Sequence, residues 1–178
     1  MMTIYLVIDV VKGFTEPETS NGKCNLHVPG AKNIIKNINT HIINKKDGDY
    51  VFYIRDVHST DDPEFERFPP HCVCNTEEIQ FDEELYITPH NARMMNKHTI
   101  DAFHDTDLGQ TINYLKTDNE IVVMGCCTEY CVFAASISAL FLGYDVKVYR
   151  DCIVAKSETF GECVLEGMKE WDNLTIVE

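Results

Sequence analysis

IVVMGCCTEYCVFAASISALFLG, residues 121–143, is the stretch on which the fold turns. Ile121 to Met124 is an apolar run of the length of a buried strand, and Tyr130 to Leu142 is long enough for a helix. Gly143 then stops the helix, because glycine tolerates the left-handed conformation in which helices commonly end. A short GCCTE segment joins the two, so the whole reads as strand, tight turn, helix. The same alternation extends in both directions. Upstream, Ile4 to Ile8 form an apolar strand ending at Asp9. After Pro29-Gly30, Ile34, Ile35, Ile38, Ile42 and Ile43 recur at helical spacing and stop near Gly48, which predicts a helix over about 30–46. Val51 to Ile54 and Ala92 to Asn96 follow as strands and Leu108 to Leu115 as a helix. Downstream come a strand from Asp145 to Tyr149, a helix from Thr159 to Lys169 and a last strand from Leu174 to Val177. Repeated strand-helix units of this spacing imply a mostly parallel sheet of about six strands in a three-layer α/β/α, Rossmann-like fold. With no repeat or composition shift, residues 1–178 are expected to form one domain.

Composition narrows what such a domain can do. Hydrophobic residues make up 44% and charged residues 25%, the balance of an ordinary globular chain. With 29 acidic against 15 basic side chains the formal charge is -14, which opposes binding to nucleic acid or to an anionic membrane. MMTIYLVIDV carries no basic stretch before its apolar run, and no apolar run approaches a bilayer-spanning length. A cytoplasmic protein, neither secreted nor membrane-bound, is therefore expected. The eight cysteines do not suggest a disulfide framework in a chain with this much core, so most are expected to be reduced and buried.

In open α/β sheets, ligands collect beyond the carboxyl ends of the strands. Asp9, Asp56, His58, Lys97 and Cys131 all follow such ends. Cys131 lies at a strand-to-helix turn, where free N–H groups and the helix dipole favour a thiolate, as a nucleophile requires; a buried inert cysteine fits the same position, and Glu129 opposes the thiolate. Asp9, partly desolvated, suits a general base, or simply caps the next turn. Lys97 can gather thiolate and carboxylate into one cluster, or stand solvated on the surface. The segment from Asp56 to about Leu85 is polar, holds three prolines and shows no period, which reads as a long functional loop. In it Asp56 and His58, two apart, point to one side if extended, His71 returns after two prolines, and Glu64 is a possible fourth donor. This mixed imidazole and carboxylate set suits zinc, iron or manganese. The alternatives are ordinary polar loop residues, or a thiolate site at His71-Cys72-Val73-Cys74.

Taken in order, Asp9, Lys97 and Cys131 make the chain resemble the isochorismatase-like cysteine hydrolases, and within them the nicotinamidases. The resemblance runs through LVIDV (6–10), NLHVPGAKNIIKNIN (25–39), YIRDVHSTDDPEFERFPPHCVCNT (53–76), KHTIDAFHDTDL (97–108), GCCTEYCVFAAS (125–136) and GYDVKVYRDCIV (143–154). It implies an isochorismatase-like domain with a catalytic trio of Asp9, Lys97 and Cys131. It also implies a divalent metal, zinc first and iron or manganese next, on Asp56, His58 and His71, with Glu64 a further ligand in some relatives. Phe14 and Phe68 match aromatic positions that sandwich a substrate ring. The backbone N–H groups of Cys127 and Cys131 match the oxyanion hole, the former aimed by a cis peptide between Cys126 and Cys127. The implied reaction converts nicotinamide to nicotinic acid and ammonia through a thioester, in an enzyme of pyridine nucleotide (NAD) salvage.

Three positions depart from the family pattern. Val11 and Gly13 stand where glutamine and aspartate are common, so a supporting hydrogen bond is missing or replaced. Ser138 stands where an aspartate is frequent. Two rival functions stay in view. One is a related cysteine amidohydrolase for another small carboxamide or ureido compound, and the other is a catalytically silent binding or thiol-redox protein using Cys126, Cys127 and Cys131. The expected partner is a small carboxamide, with neither nucleic acid nor membrane, in a homo-oligomer.

Overall fold

The computed structural model describes residues 2–115 and 120–178. In chain order its elements are β1 (Thr3–Ile8), α1 (Lys12–Thr15), β2 (Glu18–Thr19), β3 (Gly22–Lys23), α2 (Ile35–Ile43), β4 (Tyr50–Asp56), β5 (Ala92–Lys97), α3 (Leu108–Leu115), β6 (Glu120–Cys126), α4 (Phe133–Phe141), β7 (Asp145–Val154), α5 (Glu158–Met168) and β8 (Leu174–Val177). Six strands form one sheet in the order β5-β4-β1-β6-β7-β8, every neighbouring pair parallel. β2 and β3 form a separate antiparallel hairpin.

Alternation along β1 supplies both faces of the core, because successive side chains of a strand point to opposite sides. Ile4, Leu6 and Ile8 pack with α3, α4 and α5 through Leu108, Ile112, Ala135, Ala139, Leu165 and Met168. Val7 packs on the other face with Ile35, Ile38 and Ile42 of α2. With helices on both sides, the central strands read as continuous apolar runs. The chain leaves β1 toward β4 and β5, then crosses back to β6 on the other side of β1. That reversal opens a crevice past the carboxyl ends of β1 and β6, where ligands bind in sheets of this kind.

The expected six strands and the α/β class agree with the structure, and the differences have physical reasons. The first helix is two pieces, a 3-10 turn over Ala31–Ile34 and then α2. The segment after β4 contains two 3-10 turns, Pro63–Glu66 and Glu77–Ile79. A π-helical turn over Thr128–Val132 precedes α4. β7 runs on to Val154, five residues beyond the expected end. Its pairing shifts there, Val123 and Gly125 of β6 facing Val148 and Ile153, and the extra residues break the two-residue period that marks a strand. β2 and β3, two residues each, are too short to show a period at all.

Candidate active site

Asp9 leaves β1 in the left-handed region, at φ 58°, a conformation that aspartate tolerates better than most residues. Its N–H donates to the Ile54 carbonyl at 2.8 Å, which fixes the turn that aims its carboxylate. Across the crevice Gly125 passes so close to β1 that a Cβ would lie 1.9 Å from the Ile8 carbonyl oxygen, and its φ is +122°. Only glycine lets β6 deliver the following turn to Asp9. The Cys126–Cys127 peptide bond is cis, and Cys131 sits in the π-helical turn just beyond it.

Lys97 ends β5, in register with Asp56 at the end of β4. Its ammonium donates to Asp56 Oδ1 at 2.6 Å and to Cys131 Sγ at 3.7 Å, and it lies 2.9 Å from Asp9 Oδ2. Sequence alone left Lys97 open as a solvated surface group; it is 1% exposed. Asp9, Lys97 and Cys131, scattered along the chain, are thus brought into one buried cluster.

The charges in that cluster are set by burial and by Lys97. Burial raises the Asp9 pKa to about 6, with Asp56 adding to the rise and Lys97 and Cys131 opposing it. Neither Asp9 oxygen accepts a hydrogen bond of ordinary geometry, for all the closeness of Lys97. Burial works against the Lys97 charge, but Asp56 and Asp9 together hold its pKa well above the usual lysine range. At Cys131 burial works against the thiolate that a helix start favours. Burial, with Asp9 and Asp56 beside it, pushes its thiol pKa well up despite Lys97. Glu129 plays no part in this, since it turns away to accept from the Lys156 and Ser157 N–H groups at 3.2 and 2.8 Å.

Beside Lys97 lies a compact donor group. One atom each of Asp56, His58 and His71 lie within 4.8 Å of one another. Asp56 Oδ2 is 3.4 Å from Nε2 of both histidines. His71 Nδ1 meets the Pro69 carbonyl at 2.9 Å, leaving Nε2 toward the group, and His58 Nδ1 faces Asp62 Oδ2 at 3.1 Å. Metal-binding histidines are commonly oriented in this way, by a carbonyl or carboxylate on the other nitrogen. His58 is fully buried with neither nitrogen in a hydrogen bond of ordinary geometry. A buried imidazole left so, next to a carboxylate, fits a cation among these three. Burial raises the pKa of Asp56, but Lys97 and the two histidines outweigh it and hold the carboxyl well below its usual range. Glu64 stands outside the group, its Oε1 3.9 Å from His71 Nε2. Among the described residues, neither Cys72 nor Cys74 belongs to a compact donor group, so the alternative thiolate site in that loop is not formed.

Both clusters open into one cavity of about 120 Å³, lined by Phe14, Asp56, Glu64, Phe68, His71, Cys127 and Cys131 among others. This is far below the roughly 300–1,000 Å³ of sites for drug-sized ligands, so it suits a single-ring molecule. Phe14 and Phe68 lie on it, with ring centroids 5.9 and 6.5 Å from that of His71. Tyr130, Leu26, Ile100 and Lys156 line it too and were not singled out from sequence. Tyr130, next to Cys131 and 5.8 Å from the Phe68 ring, had adjacency as its signal; the others carry none. Asp62 was also missed, although an aspartate just before a proline is a readable start signal for the helical turn it caps.

Two of the three departures find local answers. A Cβ at position 13 would lie 2.9 Å from Cys72 Sγ and 3.1 Å from Glu78 Cβ, and the Glu78 carboxylate accepts from the Cys72 N–H at 2.7 Å. The space beside Gly13 is therefore filled from the loop that carries His71. Ser138 donates to Asp101 Oδ2 at 2.6 Å, which ties α4 to the segment after β5.

The family model described as the isochorismatase domain matches residues 3–176. This chain belongs to the isochorismatase family. Within it, the chain is 28% identical over 170 residues to an isochorismatase-family protein, PncA, of Bacillus subtilis, covering 87% of each. It is 33% identical over 99 residues to the nicotinamidase of Saccharomyces cerevisiae, a match covering 47% of this chain and only 45% of the yeast protein. Among solved isochorismatase-like structures, the pyrazinamidase of Pyrococcus horikoshii in complex with zinc superimposes with a TM-score of 0.86 at 27% identity, covering 100% of this chain and 99% of that one. The pyrazinamidase/nicotinamidase of Streptococcus mutans also reaches 0.86, at 25% identity, covering 98% and 99%.

Proposed function

We propose that this amide hydrolase is a metal-containing nicotinamidase, releasing ammonia from nicotinamide through a thioester on Cys131. The observation that carries the reading is the joining of two clusters in one ring-sized cavity. Asp9, Lys97 and Cys131 form a nucleophile with its base, and Asp56, His58 and His71 form a donor group beside it. A simple amidase needs only the first. The second gives a place to hold a ring nitrogen through a metal, and one of the pyrazinamidase and nicotinamidase neighbours being a zinc complex supports a metal there. Asp56, His58 and His71 would hold a divalent ion, zinc first, with Glu64 as an outlying further donor. When bound, the ion supplies a fixed Lewis-acidic contact for the pyridine ring.

The chain's own residues carry out the chemistry. Asp9, ionised above about pH 6, takes the Cys131 proton, and Lys97 keeps the resulting thiolate in a buried place where it would otherwise be costly. Sulfur attacks the carboxamide carbon, and the N–H groups of Cys127 and Cys131 receive the oxyanion. Asp9 returns the proton to the departing ammonia. Water, its proton taken by Asp9, then hydrolyses the thioester to nicotinic acid and frees the thiol. Phe14 and Phe68 bracket the ring and exclude solvent. The reading places the enzyme in the cytoplasm, in salvage of the pyridine ring. The test is ammonia release from nicotinamide across a panel of small amides and ureido compounds. Nicotinamide should be the best substrate, and Cys131→Ala should abolish turnover while the chain stays folded. A clear preference for a ureido compound, or retained turnover in that variant, would sink the proposal.

A further inference from the structure

A second compact donor group lies away from the cavity. His41 of α2 and Asp151 and Cys152 of β7 place one imidazole nitrogen, one carboxylate oxygen and one sulfur within 4.8 Å of one another. Neighbouring residues of a regular strand point to opposite faces, so Asp151 and Cys152 would not normally share a ligand. Their ligand atoms nonetheless come together where the β6–β7 pairing shifts between Val148 and Ile153, and such irregularities re-aim side chains. The arrangement is held from α2 at two points. Asn37 donates its side-chain N–H to the Asp151 carbonyl at 2.8 Å. One turn later on the same helix face, the His41 ring lies over Tyr149, centroids 4.2 Å apart at 37°.

Cys152 is fully buried among Ile35, Ile38 and other residues of the α2 core, while Asp151 is exposed and offers a way in from solvent. The group packs on the α2 face of the sheet, whereas Cys131 packs with the α3, α4 and α5 face. The geometry points to a second cation site here, taking a borderline-soft ion such as zinc on Cys152, His41 and Asp151 and tying α2 to the β7 bulge. The donor chemistry chooses the ion. A thiolate with an imidazole and one carboxylate suits zinc or cobalt, whereas magnesium and calcium need several oxygens. Three protein donors leave a fourth tetrahedral position for water. On binding, the thiol proton leaves to solvent and the sulfur's electron pair goes to the ion, with no redox change.

The test is cobalt(II) titration of the chelator-stripped full chain, followed by bound-metal analysis and near-ultraviolet absorption. The Asp56, His58 and His71 group contains no sulfur, so a thiolate-to-cobalt charge-transfer band reports the second site alone. Expected are two equivalents per chain with that band. Cys152→Ser should remove the band and one equivalent, and His41→Ala, on the helix surface, should weaken the band-forming equivalent at least tenfold. Cys131→Ser should keep the band, and His58→Ala should keep it while losing the other equivalent, which separates this site from the one in the cavity. No band in the wild-type chain, a band that survives Cys152→Ser, or a band lost in Cys131→Ser would each overturn the inference. Should Cys152→Ser fail to fold, His41→Ala decides alone, and an unchanged titration there also overturns it.

Discussion

Replacing Lys97 by methionine keeps most of the side chain's volume and removes its charge. The ammonium sits 2.9 Å from Asp9 and 2.6 Å from Asp56 with almost no solvent access. Unit charges 2.9 Å apart attract by about 6 kcal/mol at an effective dielectric near 20, a gross figure before desolvation. Removing one partner of a buried pair costs about 3–5 kcal/mol in practice, because the other charge stays buried and uncompensated. For a chain of this length that lowers the melting temperature by roughly 6–20 °C. The sign of the pH dependence also follows. Burial already raises Asp9 to about 6, and losing the cation raises it further. A carboxyl whose folded pKa is raised contributes stability at low pH and loses it as pH rises through the folded value. The deficit of Lys97→Met against wild type should therefore be widest in mild alkali and shrink on acidification, as a proton on Asp9 takes the place of the lost ammonium. Urea unfolding at a series of pH values measures it, and Lys97→Met with Asp9→Asn should recover part of the loss. A deficit under about 1 kcal/mol, or one that does not shrink as the pH falls, would refute the reasoning.

The same cluster predicts that kcat/KM for nicotinamide falls tenfold per pH unit below about 6, where Asp9 takes up a proton and can no longer act as the base; a flat profile down to pH 5 would exclude Asp9 from that role. His58→Ala should lower bound metal below a tenth of the wild-type content of the cavity site by elemental analysis, with Glu64→Gln losing less, and unchanged content in His58→Ala would reject the ligand set. Phe68→Ala should raise KM about tenfold or more with a smaller change in kcat, since it removes ring contact rather than chemistry, and an effect on kcat alone would contradict its placement. Gly125→Ala, whose new Cβ would fall 1.9 Å from the Ile8 carbonyl oxygen at φ +122°, should cost about 3 kcal/mol or more; near-wild-type stability would show that β6 can give way.

Most of the layer architecture was legible because it rests on periodicity. Ile35, Ile38 and Ile42 announce the buried face of α2, and the run Ile121–Met124 announces a strand covered on both sides. What escaped was set by tertiary contact. Nothing local to Lys97 says that it is buried; only the β4–β5 register, which pairs Asp56 with Lys97, brings it there. At Cys131 position and surroundings pull apart, since a helix start favours a thiolate while burial and the enclosing carboxylates raise the thiol pKa, and only the second depends on tertiary contact. The end of β7 was lost because a register shift erases alternation at the residues where Asp151 and Cys152 come together. Lys156 reaches the cavity only because the segment after β7 meets the π-helical turn beyond the carboxyl ends of the strands.

Asp56 divides its work between the two clusters. Its Oδ1 takes the Lys97 ammonium at 2.6 Å, while its Oδ2 faces Nε2 of His58 and of His71 at 3.4 Å each. One carboxylate thus ties the cation that steadies the Cys131 sulfur to the donors beside it. A divalent ion on Oδ2 would draw charge from Asp56, loosen its hold on Lys97 and leave more of that ammonium's field for Asp9 and Cys131. Asp9 would then titrate lower and the thiolate form more readily. Loading the donor group should therefore shift the acidic limb of kcat/KM downward as well as strengthen substrate binding. The ion's own positive field acts in the same direction, so Asp56→Asn should shrink the shift rather than abolish it wherever residual metal remains, and an acidic limb that loading leaves unmoved in the wild type would break the link.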